Sequence, residues 1–179
     1  MKTLPPAYRW LTTLAPLPRM VTEALNLFGT VEAAGAANSP TIIGWADEVG
    51  GKVEDVYKAD SIPWCGLFMA VVAKRAGKTP PTDPLWALNW NKFGVIAGQP
   101  CLGDVLTFTR PSGGHVALYV GEDATAYHVL GGNQSDQVCF TRIAKLRLSR
   151  VRRPLYNVKP ATVRPFILQG GGQLSKNEA

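Results

Sequence analysis

The spacing of hydrophobic positions changes character near residue 100. Before it the apolar residues recur at helical intervals. Arg19 to Phe28 place Met20, Ala24, Leu27 and Phe28 on one side of a helix that Gly29 stops. A second helix is predicted from Pro40, capped by Ser39, carrying Ile42, Ile43, Trp45 and Val49 and ended by Gly50 and Gly51. A third has Ser61 as its expected N-cap and Pro63 in its first turn. Its Trp64, Leu67, Phe68, Val71 and Val72 follow the i, i+3, i+4, i+7, i+8 rule up to Gly77. Trp86 to Trp90 predict a shorter helical turn before Gly94.

Beyond residue 100 the segments are short, rich in β-branched and aromatic residues, and divided by Gly, Asp, Asn and Ser. Strands are predicted at Val105 to Thr109, His115 to Val120, Ala126 to Leu130, Val138 to Ile143 and Leu148 to Arg153. Helices followed by a meander of strands make an α+β domain, with the helical layer on one face of an antiparallel sheet. The expected organisation is a Pro-rich segment over residues 1–18, one domain over 19–154, and a basic, Gly- and Pro-containing tail over 155–179.

Composition supports one sizeable core, since 46% of the 179 residues are hydrophobic. No apolar run approaches the roughly 20 residues of a membrane span. Lys2 is followed by Pro5, Pro6, Pro16 and Pro18, which interrupt any stretch of signal-peptide length. The expectation is a protein made in a cytoplasm and not exported by its own signal. Cys65, Cys101 and Cys139 lack C-x-x-C spacing, and a four-ligand metal site would need nearly every Cys and His in the chain. Neither metal nor organic cofactor is expected.

Charge is uneven. After Asp136 there are nine basic residues, from Arg142 to Lys176, against the single acid Glu178, while the whole chain carries +6. Such a stretch suggests attraction to an anionic envelope surface. Nucleic acid is disfavoured, because zinc-finger spacing, an aromatic stacking motif and a helix-turn-helix pattern are all missing.

Two residues carry candidate chemistry. Cys65 falls in the first turn of the third helix, where unpaired N–H groups and the dipole favour a thiolate. His115 follows Pro111-Ser112-Gly113-Gly114 and opens an alternating strand, a suitable place for a general base. His128 sits mid-strand and suits a buried, hydrogen-bonded role. If residues 121–125 form the hairpin turn, His115 lies opposite Gly132 and beside Asn133, whose amide can orient the imidazole. Asn133 also fits a plain turn role equally well.

The segments Ile62-Pro63-Trp64-Cys65-Gly66-Leu67-Phe68, Gly103-Asp104-Val105, Gly114-His115-Val116-Ala117-Leu118-Tyr119-Val120-Gly121 and Leu130-Gly131-Gly132-Asn133-Gln134, in that order, resemble the CHAP and NlpC-type cell-wall hydrolases. Small single-domain members from phages and prophages of Gram-negative bacteria are the most similar. The resemblance spans roughly Glu23 to Pro154. It implies a papain-like fold, Cys65 as nucleophile, His115 as base and Asn133 as the polar third residue. Where many CHAP enzymes carry a Glu, this chain has Gly131. Trp64, Asp60, Gly114 and Tyr119 are the expected substrate contacts.

The implied activity is hydrolysis of a stem-peptide amide in peptidoglycan by a monomeric, endolysin-like enzyme acting in the periplasm. The same residues fit an N-acetylmuramoyl-L-alanine amidase, a type VI secreted antibacterial effector, or a non-catalytic envelope-binding module.

Overall fold

The computed structural model describes residues 2–170, 173–176 and 178. Its helical layer comprises α1 (Arg19–Asn26), α2 (Pro40–Val49), α3 (Lys52–Val56) and α4 (Cys65–Arg75), preceded by a 3-10 helix over Pro6–Thr13. The strands are β1 (Val95–Ile96), β2 (Val105–Arg110), β3 (Gly113–Glu122), β4 (Ala126–Gly131), β5 (Cys139–Ala144) and β6 (Leu148–Arg153). They form one antiparallel sheet in the order β1-β6-β2-β3-β4-β5. The architecture is α+β.

The helices begin and end where local chemistry directs them, with one informative exception. Pro40 starts α2 and Gly50, at φ 73°, ends it. The Ser39 side chain, however, makes no capping hydrogen bond, and its backbone N–H donates to Asp60. The exception is α4, which starts at Cys65 rather than near Ser61. Ile62 N–H donates to Ala59 O in a tight turn, and Asp60 accepts from the backbone N–H groups of Ala33 and Ser39. These bonds hold residues 60–64 outside the helix, so Cys65 becomes its first residue.

The sheet buries both faces. Val105, Val116, Leu118, Val120 and Leu130 face the helices and join the core with α4. Leu106, Phe108, Ala117, Tyr119, Val129 and Ile143 pack on the opposite face. The alternation expected of the His115 strand is therefore present. The hairpin register differs: Tyr119 pairs with Val129 and Gly121 with His128, leaving Val120 as a bulge residue. Next to the turn the pairing is two residues away from the turn-based expectation, and the bulge brings the His115 end back to within one residue of it.

The flanking segments pack onto the same body. Leu4, Tyr8 and Leu11 are buried in the core, and Tyr8 Oη lies 2.8 Å from His128 Nδ1 while Asp123 holds Nε2 at 2.9 Å. His128 is thus the satisfied core histidine its mid-strand position suggests. Toward the C-terminus, Val163 is buried and Ile167 bridges to Glu122 in parallel. Much of the basic excess is also internal. Arg142 pairs with Asp123, Lys145 with Glu122, Arg147 with Glu178, and Arg153 with the fully buried Asp104. Among the described residues no helix is long and apolar enough to cross a membrane.

Gly66 marks the tightest helix-to-loop contact. A Cβ there would fall 2.3 Å from Pro84 O and 2.6 Å from Leu85 O, both backbone atoms. Gly66→Ala is expected to destabilise by about 1–3 kcal/mol through displacement of that loop. Gly44→Ala, in the middle of α2 with nothing within 4 Å, is expected to stabilise by roughly 0.5–1 kcal/mol. Urea unfolding of the two variants checks both signs.

Candidate active site

Cys65 reaches its position through the packing of α4 on the sheet. Gly132, at the end of β4, meets the first turn of α4 so closely that a Cβ would lie 2.5 Å from Phe68 Cβ and 2.7 Å from Trp64. Cys65 is 3% exposed, and the Val116 backbone amide lies close enough to its sulfur to favour a thiolate. It therefore lies against the residue that follows His115. Burial pushes the thiol up, and the Val116 amide, the Arg110 charge and the N–H groups of Gly66 and Cys65 offset part of that rise.

His115 is fully buried, with Phe108 as a ring neighbour at 6.5 Å. Its Nε2 lies 3.0 Å from Gln134 Oε1. The Gln134 amide nitrogen donates to Cys139 O, so its oxygen must face the ring. Nε2 consequently carries the proton and Nδ1 is the bare, basic nitrogen. Nδ1 is buried and has no hydrogen-bond partner among the described residues. Burial pushes the imidazole down to about 4, against the opposing influence of Glu178 and the Gln134 hydrogen bond. In this closed arrangement thiol and imidazole are both neutral.

The expected orienter requires correction. Gln134, not Asn133, holds the imidazole. Asn133 has φ 53° and spends its position on reversing the chain after β4, which swings the next side chain back toward His115. The space needed comes from Gly131, where a Cβ would lie 2.8 Å from Gln134 Oε1. A larger residue at 131 would exclude the carboxamide that now serves the imidazole. In sequence, the adjacent Asn and Gln were indistinguishable without the backbone angle.

The expected substrate contacts are corrected as well. Trp64 is wholly buried, donating from Nε1 to Glu32 Oε2 at 2.9 Å. Asp60 is buried and consumed by the Ala33 and Ser39 amides at 2.9 and 2.7 Å. Tyr119 is buried on the far sheet face, its hydroxyl donating to Glu122 at 3.1 Å. The room above Gly114 is filled by Leu88, whose Cγ would lie 2.7 Å from an added Cβ.

Charged residues near Cys65 and His115 leave no signal in the sequence pattern. Arg110 acts on both Cys65 and His115, and Glu178, only 1% exposed, acts on His115. Burial opposes ionisation of Glu178, but the Arg147 guanidinium, His115 and the Ser175 hydrogen bond together outweigh it and hold the carboxyl below its ordinary value. A separate groove of about 800 Å³ runs between α3 and residues 79–86, flanked by the exposed Trp86; neither Cys65 nor His115 lines it. Among the described residues no cluster of three or more His, Cys, Asp or Glu could hold a metal ion.

Gln134→Leu leaves a buried N–H unpaired and is expected to cost about 1–3 kcal/mol. Asn133→Gly is expected to be near neutral, because glycine adopts positive φ freely. Urea midpoints of the pair separate the two roles. A pH effect follows from His115, whose folded value near 4 lies below its ordinary 6.5. Its contribution is complete above pH 6.5 and is lost as pH falls toward 4, because the unfolded chain takes up the proton first; the loss is roughly 3 kcal/mol. His115→Phe should flatten the fall in stability across that window, read by urea unfolding at several pH values.

Comparison with protein-family models and with curated proteins finds no match for this chain.

Proposed function

We propose that this protein is a papain-like cysteine hydrolase that cleaves an amide bond of the peptidoglycan stem peptide, with Cys65 as nucleophile, His115 as base and Gln134 as the residue that positions the imidazole. The observation that carries the reading is the bare Nδ1 of His115, buried without a partner among the described residues and fixed through Nε2, one residue before the Val116 amide that lies near the Cys65 sulfur at the start of a helix. A buried imidazole kept solely for packing would be expected to satisfy both nitrogens, as His128 does.

The chemistry uses these atoms in order. His115 Nδ1 accepts the Cys65 thiol proton, and the sulfur attacks the amide carbonyl. The oxyanion develops near the N–H groups that open α4, which point toward negative charge. The C–N bond then breaks and the leaving amine takes the proton from Nδ1. Water next gives a proton to Nδ1 and its oxygen to the thioester; the C–S bond breaks, and the proton returns to sulfur. Thiol and imidazole are not hydrogen-bonded in this covered form, and catalytic contacts of this kind tighten when substrate arrives.

The substrate class rests on the resemblance of the Cys65, His115 and Gly131 to Gln134 segments to the CHAP and NlpC-type hydrolases. An endolysin role, in which the enzyme reaches the wall as a monomer after another protein opens the inner membrane, fits the same reading. Basic residues outside the internal ion pairs, such as Arg150 and Lys159, would supply attraction to an anionic envelope.

Purified Gram-negative peptidoglycan is expected to release peptide fragments on digestion with the protein, resolved by mass spectrometry. Cys65→Ser should reduce the rate by at least about a thousandfold while leaving the melting temperature within a few degrees. Comparable digestion by that variant would refute the mechanism. Intact stem peptides freed from bare glycan would assign the sugar-to-alanine amide instead.

A further inference from the structure

The chain's own C-terminal segment returns to the sheet beside His115. Ser175 N–H donates to Arg142 O at 2.8 Å, bringing the segment against β5. Three residues later Arg147 grips the Glu178 carboxylate with two parallel bonds, Nη1 to Oε1 at 2.7 Å and Nη2 to Oε2 at 2.6 Å. Glu178 is only 1% exposed, although Gln173, Leu174 and Lys176 are exposed. The segment therefore meets the body at Ser175 and, through one deeply seated carboxylate, at Glu178.

The receiving residue is oriented before the carboxylate arrives. Arg147 Nε donates to Thr109 O at 3.1 Å, and Thr109 pairs across the sheet with Gly114, the neighbour of His115. The guanidinium is thereby held in register with the base. Around it lies a cavity of about 460 Å³ lined by Thr109, Arg110, Pro111, Arg147, Ser175 and Lys176. A planar fork with two free N–H groups is the geometry that recognises a carboxylate and binds it more tightly than a point charge would.

We infer that Arg147 is the anchor for a free carboxylate of the substrate peptide, and that Glu178 occupies this anchor from within the chain until substrate displaces it. The identity of that substrate rests on the proposed function, since stem peptides carry free carboxylates close to their scissile amides. A tethered occupant acts at an effective concentration on the order of millimolar, so substrate must compete with it. Removing the occupant exposes the anchor.

The test uses the full-length chain with Glu178→Gln, alone and combined with Arg147→Gln, and reads binding by calorimetry. The first probe is the acetylated, amidated peptide LSKNEA, whose sole carboxylate is the glutamate side chain; LSKNQA is its control. Loss of a charge-assisted bidentate contact corresponds to roughly tenfold to a hundredfold in affinity. LSKNEA is expected to bind the Glu178→Gln chain that much more tightly than it binds the double variant, and LSKNQA is expected to lose the difference. The stem tripeptide L-alanyl-γ-D-glutamyl-meso-diaminopimelate should displace LSKNEA. Arg147→Lys keeps the charge without the fork and replaces Arg147→Gln if the latter does not fold. Equal binding by single and double variants, or no binding of LSKNEA to the Glu178→Gln chain, overturns the anchor. Failure of the tripeptide to compete overturns its substrate role. Arg147-dependent binding of both probes with no cleavage of peptidoglycan leaves the anchor standing and rejects the hydrolase reading instead.

Discussion

The close approach of the β4 terminus to the first turn of α4 is the constraint on which the site depends. Gly132 admits Phe68 and Trp64 at distances that no side chain would allow, and Gly131 leaves the volume that the Gln134 carboxamide fills. With any larger residue at these two positions, α4 would stand away from the sheet. Cys65 would then lose the Val116 amide, and the carboxamide could not fold back to the imidazole. Two glycines thus convert a helix start and a strand start, 50 positions apart in sequence, into neighbours.

Dryness is the second feature. Cys65, His115 and Gln134 are all nearly inaccessible, and burial moves the thiol up and the imidazole down. Both shifts oppose the thiolate–imidazolium pair, so the covered form is chemically quiet. The polar groups at the site are positioned all the same: the imidazole is held at Nε2, the helix amides converge on sulfur, and Arg110 adds a positive charge near both.

The basic C-terminal third acquires a different meaning once folded. As a string it reads as a tether for polyanions, yet four of its cations are bound to acids of the same chain, two of them to the buried carboxylates of Asp104 and Asp123 at strand ends. Buried carboxylates need such partners, because an unpaired ionised group in the interior is costly. Part of the excess charge therefore serves the fold, and one member of it, Arg147, lies beside the dyad.

The sequence alone determined the class of fold and where Cys65 and His115 stand within it, at a helix start and near a strand start. Helical and two-residue periodicities are local, so the α+β order, the strand at Leu148 to Arg153 and the alternation around His115 could be read directly. Cys65 was legible for the same reason, since a helix start is written in the residues around it, even though the turn held by Asp60 moved that start to Cys65 itself. Tertiary structure decided the rest. Whether Asn133 or Gln134 serves the imidazole turned on one positive φ and on the register of the β3–β4 hairpin, neither of which leaves a pattern in the chain. The burial of Trp64, Asp60 and Tyr119, the Leu88 side chain over Gly114, and the return of Glu178 to Arg147 are contacts between distant segments. Such contacts are set by packing and hydrogen-bond satisfaction across the whole domain, which no local spacing of residues encodes.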